Sequence, residues 1–217
     1  MDTGALRYWL DGRVAGHRFS GTALVRRGDE TLFGYAGGLA DRGQGVPVTE
    51  STRFAVASVT KMVTATTTLR LVERGALALD QPVLDVLPAS QRTVALTGAH
   101  TLHHLLSHTS GLPNYHDDDD QTWNSFVSCW DRVPCRHARG PADLLPLFRD
   151  LPAEAPPGTR YSYADANFIL TGLLIEAVTG KQTPRSWCSA TTTAAPGRST
   201  CASPPSWVWP IRGTDPD

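Results

Sequence analysis

Apolar and polar positions along this chain fall into several segments with a readable period and two long stretches with none. Over residues 58–74 apolar side chains stand at Val59, Met62, Val63, Leu69 and Val72, a helical spacing that Gly75 ends. This pattern predicts a largely buried helix. Thr64, Thr66, Thr67 and Thr68 within it are poor helix formers, so packing rather than propensity has to hold it. Residues 21–39 read as a β-hairpin: Thr22-Ala23-Leu24-Val25, a turn near Arg27-Gly28-Asp29, then Thr31 to Tyr35 before the Gly37-Gly38 break. Two strands alone are marginal, so further strands or covering helices must bury one face. Asp80-Gln81-Pro82-Val83 and Leu87-Pro88 mark a turn-rich connection, after which Thr101 can cap a short helix through Leu102, Leu105 and Leu106 that stops at Ser110-Gly111-Leu112-Pro113. Pro156-Pro157-Gly158-Thr159 makes a rigid turn. Asn167 to Val178 then forms a strongly apolar helix, ended by Gly180.

The two stretches without a period are 114–140 and the last 36 residues. The first reads as a surface insertion. Its acidic run, Asp117 to Asp120, lacks the alternating spacing, central Gly and closing Glu of an EF-hand loop and reads as a solvated loop.

Composition and charge narrow the classes. The chain has 217 residues, enough for one sizeable core or two small domains. Twenty Lys and Arg against twenty-one Asp and Glu leave a formal net charge of −1, with no basic block dense enough to track phosphates. Nucleic acid is therefore not an expected partner. No apolar run has the length of a signal peptide or a membrane span, so the reading is a soluble, cytoplasmic chain. Cys129, Cys135, Cys188 and Cys201 show no C-x-x-C spacing and are too few to staple the chain. A Cys129–Cys135 disulfide and a pair of free thiols both stay open.

The candidate chemistry begins at Ser58-Val59-Thr60-Lys61. Three positions along a helix set a hydroxyl and an amine on nearly one face. A serine hydroxyl needs a neighbouring base to act as a nucleophile, and a lysine whose pKa is lowered by burial can serve.

Five ordered segments then carry a resemblance. They are the hairpin with Gly37-Gly38-Leu39-Ala40-Asp41, Phe54 to Lys61, Leu71-Val72-Glu73-Arg74-Gly75, His104 to Pro113 (HLLSHTSGLP), and Pro157-Gly158 leading to Tyr161-Ser162-Tyr163-Ala164-Asp165 and the helix beyond. Together, over about residues 18–181, the chain resembles the serine β-lactamase and D-alanyl-D-alanine peptidase superfamily, nearest its class C β-lactamase and family VIII esterase branch. The resemblance implies an α/β (α+β) fold, an antiparallel sheet flanked by helices beside a helical region. It implies acyl transfer in two steps, with Ser58 as nucleophile and Lys61 and Tyr163 as its proton partners, and the Ser58 backbone N–H as one oxyanion donor. The family's Tyr-x-Asn falls on Tyr163-Ala164-Asp165, so Asp stands where Asn is usual. Asp165 has two readings that stay open, an N-cap for the following helix and a group that orients the site or contacts substrate. The substrate would be a small molecule or peptide: a β-lactam, a D-Ala-D-Ala peptide or a small ester. No metal or organic cofactor is implied.

The pattern breaks after Lys181. The family's third motif, a Lys or His followed by Ser or Thr and Gly on a late strand, is not found, and the sheet's C-terminal strands are expected to be missing. Residues 182–217 contain no Leu, Phe or Glu, yet hold three of the six Trp and six of the sixteen Pro. Ser203 to Arg212 can be encoded by TCC CCG CCG AGC TGG GTG TGG CCG ATC CGC, which two nucleotides later spells Pro-Ala-Glu-Leu-Gly-Val-Ala-Asp-Pro. A change of reading frame shortly after Lys181 is one hypothesis; a disordered Ser/Thr/Pro-rich extension fits the same composition. The domain reading is a partial hydrolase domain over 1–181 and an aberrant tail over 182–217. With the sheet so shortened, weak or absent turnover is expected.

Two rivals stand beside this reading. His104 and His108, four apart on a helix, suggest a metal-dependent hydrolase, but Leu105 takes the place of the glutamate in H-E-x-x-H. The second is a non-catalytic relative that binds a peptide or cell-wall fragment.

Overall fold

The computed structural model describes residues 2–54, 56–115, 131–133 and 138–183, which fall into two compact units divided after Phe54. The acidic run, the four cysteines and residues 184–217 lie outside the described residues.

In the first unit the chain opens with α1, Thr3–Ala15, a helix the sequence reading did not assign. Asp2 caps it, its carboxylate accepting from the Ala5 N–H at 2.9 Å. Leu6, Leu10 and Val14 then recur every four residues and turn one stripe toward the sheet, where Leu10 is buried with Phe33 and Tyr35. The hairpin forms as read: β1, Gly21–Arg27, pairs antiparallel with β2, Glu30–Gly37, through a turn in which Gly28 takes a φ of 56°. A register shift between Val25 and Arg26 lets the strands close on that turn. Two short strands, β3 (Leu39–Asp41) and β4 (Val46–Pro47), make a second antiparallel ribbon.

The second unit is helical. A single 3₁₀ turn, Ala57–Val59, leads into α2, Thr60–Glu73. A short α3, Leu102–Leu106, is closed by a capping box between Thr101 and His104. A 3₁₀ stretch follows over Pro141–Leu147, and α4 spans Asp165–Thr179, ending where Gly180 turns left-handed at φ 65°. Leu102, Leu105, Leu112, Leu144, Leu147, Phe148, Leu170, Leu173 and Leu174 form its core, each almost entirely buried. The first two turns of α4 are buried nearly all round, the polar Asp165, Asn167 and Thr171 included.

For α2 the sequence reading is corrected. Val59, Met62, Val63 and Leu69 are exposed, while Thr60, Lys61, Thr64 and Thr68 are buried, with Leu71 and Val72 packed against the core. The threonines achieve this by returning their hydroxyls to the helix: Thr64, Thr66, Thr67 and Thr68 each donate to the carbonyl four residues back, at 2.8–3.3 Å. With its polar atom satisfied, a threonine presents its methyl to the interior and behaves as a small apolar residue. Among the described residues no helix is long and apolar enough to cross a membrane.

Candidate active site

The four residues singled out from sequence meet at one place. Ser58 sits in the 3₁₀ turn, Lys61 in the first turn of α2, Tyr163 two residues before α4, and Asp165 at its first position. The Ser58 Oγ is 2.8 Å from the Tyr163 phenol oxygen, and the Lys61 Nζ donates to the same Oγ at 3.2 Å. The spacing of three residues explains the second contact, since α2 begins where the serine ends. Ala57, directly before the serine, adopts a φ of 42°, a left-handed conformation that an alanine takes only at a cost. The strain turns the chain so that Ser58 stands exposed above the buried lysine.

The N-cap position of α4 is Ala164, which carries no side-chain cap bond, and Asp165 turns its carboxylate toward Lys61 and Tyr163. That carboxylate accepts from the Lys61 Nζ at 2.5 Å and from the Tyr163 hydroxyl at 3.2 Å, while the Asn114 side-chain oxygen takes the Asp165 backbone N–H at 3.2 Å. The Lys61 and Asp165 side chains are only 10% and 6% exposed, so the pair is shielded from water and salt.

This pairing reverses the direction expected for the lysine. Burial is the largest single influence on Lys61 and acts to lower its pKa, as the sequence reading supposed. The charge of Asp165, its hydrogen bond and a smaller contribution from Tyr163 together outweigh burial, so the amine is held above its ordinary value. The ammonium also lies over the Tyr163 ring, 5.0 Å from its centre, and 5.8 Å from that of Phe168. Lys61 is therefore a cation that orders its neighbours, not a free base at neutral pH.

Around these four runs a network the sequence reading did not single out. Asn167, wholly buried, accepts from the Ser110 hydroxyl at 2.6 Å, and its amide nitrogen lies 3.1 Å from His108 Nδ1. Ser110 in turn accepts from the Leu112 N–H at 3.0 Å. The turn after α3 is thereby tied to the start of α4. The signal was an amide in the first turn of a strongly apolar helix, since a buried amide demands partners. Gly111 allows the turn: its φ is 66°, and a Cβ there would collide with the Ala155 carbonyl. The two histidines read as a metal pair have other partners. His104 Nδ1 closes the capping box of α3, and His108 Nδ1 faces Ala164 and Asn167.

Comparison with known proteins gives this geometry a context. The family model described as Beta-lactamase matches residues 6–205. Esterase EstB of Burkholderia gladioli is 38% identical over 162 residues, covering 73% of this chain and 41% of that protein. Penicillin-binding protein 4 of Amycolatopsis lactamdurans is 33% identical over 168 residues, covering 76% and 40%. Among solved structures, a penicillin-binding protein from Bacillus halodurans superposes with a TM-score of 0.69 at 40% identity, over 79% of this chain and 50% of that one. A D-stereospecific amidohydrolase from Streptomyces sp. gives 0.62 at 28% identity, over 88% and 52%. The chain thus spans about two fifths of the length of these curated relatives.

Proposed function

The chain belongs to the beta-lactamase family, and from that premise we propose that it is a serine hydrolase that forms an acyl-enzyme on Ser58. The observation that carries the reading is the approach of Ser58 Oγ to the Tyr163 hydroxyl at 2.8 Å with the Lys61 ammonium at 3.2 Å. The acyl donor is an ester or amide carbonyl: a β-lactam, a D-Ala-D-Ala peptide or a small ester.

In the proposed cycle Ser58 Oγ attacks the carbonyl carbon as its proton passes to the Tyr163 oxygen. Tyr163 gives up its own proton to Asp165 Oδ1, toward which its hydroxyl already donates. The Lys61 ammonium, bonded to Ser58 and Asp165, balances the negative charge moving through the site. On collapse of the tetrahedral intermediate the proton returns by the same oxygens to the leaving alcohol or amine, and Ser58 keeps the acyl group. Water then attacks that ester along the reverse path. The Ser58 backbone N–H, at the start of a helical turn, is assigned to the oxyanion, and loss of one such donor typically costs about 100- to 1000-fold in rate.

A p-nitrophenyl butyrate burst tests the proposal. One p-nitrophenolate per chain, absent in Ser58→Ala and slowed at least about 100-fold in Tyr163→Phe, is the expected result. A burst that survives Ser58→Ala would refute it. Absence of both a burst and any steady-state release of p-nitrophenolate favours the rival reading of a binding protein without catalysis.

A further inference from the structure

We infer that His108 is a positioning residue for Tyr163, fixing where the phenol stands relative to Ser58; this rests on the acyl-enzyme reading above. His108 holds both flanks of the tyrosine. Its carbonyl accepts from the Ser162 N–H at 2.8 Å, and its ring Nδ1 accepts from the Ala164 N–H at 3.2 Å. Between these two anchors the imidazole lies against the phenol ring, with centres 4.6 Å apart and planes 28° from parallel. The tyrosine is thus clamped before, after and on one face, by a residue 55 positions away in sequence.

The chemistry of the clamp specifies the ring. The Asn167 Oδ1 is taken by the Ser110 hydroxyl, which leaves the Asn167 amide nitrogen to donate to His108 Nδ1. Two N–H groups therefore point at Nδ1, so the ring proton is assigned to Nε2. Protonating Nδ1 would break both bonds. The charged and titratable groups facing the ring are Lys61 from α2, Asp165 from α4, and Tyr161 and Tyr163 from the segment before α4, with Phe168 completing the apolar wall. Burial first, and then the Lys61 charge, favour the neutral ring over the weaker opposing pull of Asp165. His108 also sits at a φ of 55°, where a residue other than glycine is sparsely found. Asparagine and histidine are both among the non-glycine residues that adopt this conformation most readily.

That last point supplies the test. In His108→Asn the side-chain oxygen can take the place of Nδ1, and asparagine tolerates the left-handed backbone, but the ring against Tyr163 is lost. The expected result is a thermal midpoint within about 4 °C of the parent and a burst slowed at least about tenfold. In a Tyr163→Phe background the same substitution should change the rate by less than about twofold, because its effect acts through the phenol. Equal slowing in both backgrounds, or no slowing in either, would overturn the inference. Should the parent release no p-nitrophenolate either in a burst or at steady state, the acyl-enzyme reading falls and the positioning is judged by spectroscopy. In protein labelled with ¹³C-tyrosine, the Tyr163 ring resonance should move in His108→Asn, and an unmoved resonance would refute the clamp. In the parent itself, ¹⁵N spectra should show an unprotonated His108 Nδ1 at neutral pH; a proton there would also refute it.

Discussion

At the scale of single residues the decisive contact is Lys61 with Asp165. The serine and lysine were legible because their spacing is local, and three residues of helix bring them to one face whatever the rest of the chain does. The state of the lysine was not legible. Burial alone argues for a lowered pKa, and only the fold shows that a carboxylate from a helix a hundred residues away comes within 2.5 Å of the Nζ. Asp165→Asn removes that carboxylate and leaves burial as the main influence, so the Lys61 pKa should fall below the ordinary lysine value of about 10.4. The ε-carbon resonance of Lys61, followed against pH in the variant and the parent, measures this. A titration that stays in place would contradict the pairing. In the proposed cycle the same substitution also removes the acceptor of the Tyr163 proton, so acylation should slow at least about 100-fold.

At the scale of elements, α4 and the hairpin were read from periodicity and α2 was read on its wrong face. An apolar count assigns Val59, Met62, Val63 and Leu69 to the core, yet the buried stripe is Thr60, Lys61, Thr64 and Thr68. Threonines that bond their own helix carbonyls escape a hydrophobicity scale, because burial costs their hydroxyls little. Helix α1 was missed for a different reason: its single stripe of Leu6, Leu10 and Val14 is interrupted by Gly and Arg, and only the sheet beneath shows what it covers. The turn between α3 and the site gives a sharp prediction. Gly111→Ala combines a left-handed backbone with a collision against Ala155, and should destabilise the protein by about 2 kcal/mol or more. Urea denaturation measures the change, and a loss under about 0.5 kcal/mol would show that the turn adapts.

At the scale of the whole molecule, the leucine-rich core of the second unit holds the elements that carry the site. Leu173 is wholly buried within it, and Leu173→Ala should cost about 2–5 kcal/mol in the same assay. Acid should weaken the fold through His100 and His108, whose pKa values burial lowers below the ordinary histidine value. For such groups the unfolded chain binds protons first. Their contribution is complete above about pH 6.5 and is lost as the pH falls from there through the folded-state values. The thermal midpoint should therefore fall between neutral and mildly acidic solution, less steeply in His108→Asn; an identical slope would remove His108 from the account. Lys61 acts in the opposite sense. Its raised pKa gives stability that is present below about 10.4 and is lost only as the pH rises through the folded-state value in alkaline solution.

The most direct measurement is the mass of the intact chain after incubation with a fluorophosphonate, followed by peptide mapping. One adduct per chain, located on Ser58 and absent from Ser58→Ala, is the predicted result. A chain that stays folded and unmodified, or one modified at another residue while Ser58 stays free, would contradict the claim that this serine is the nucleophile.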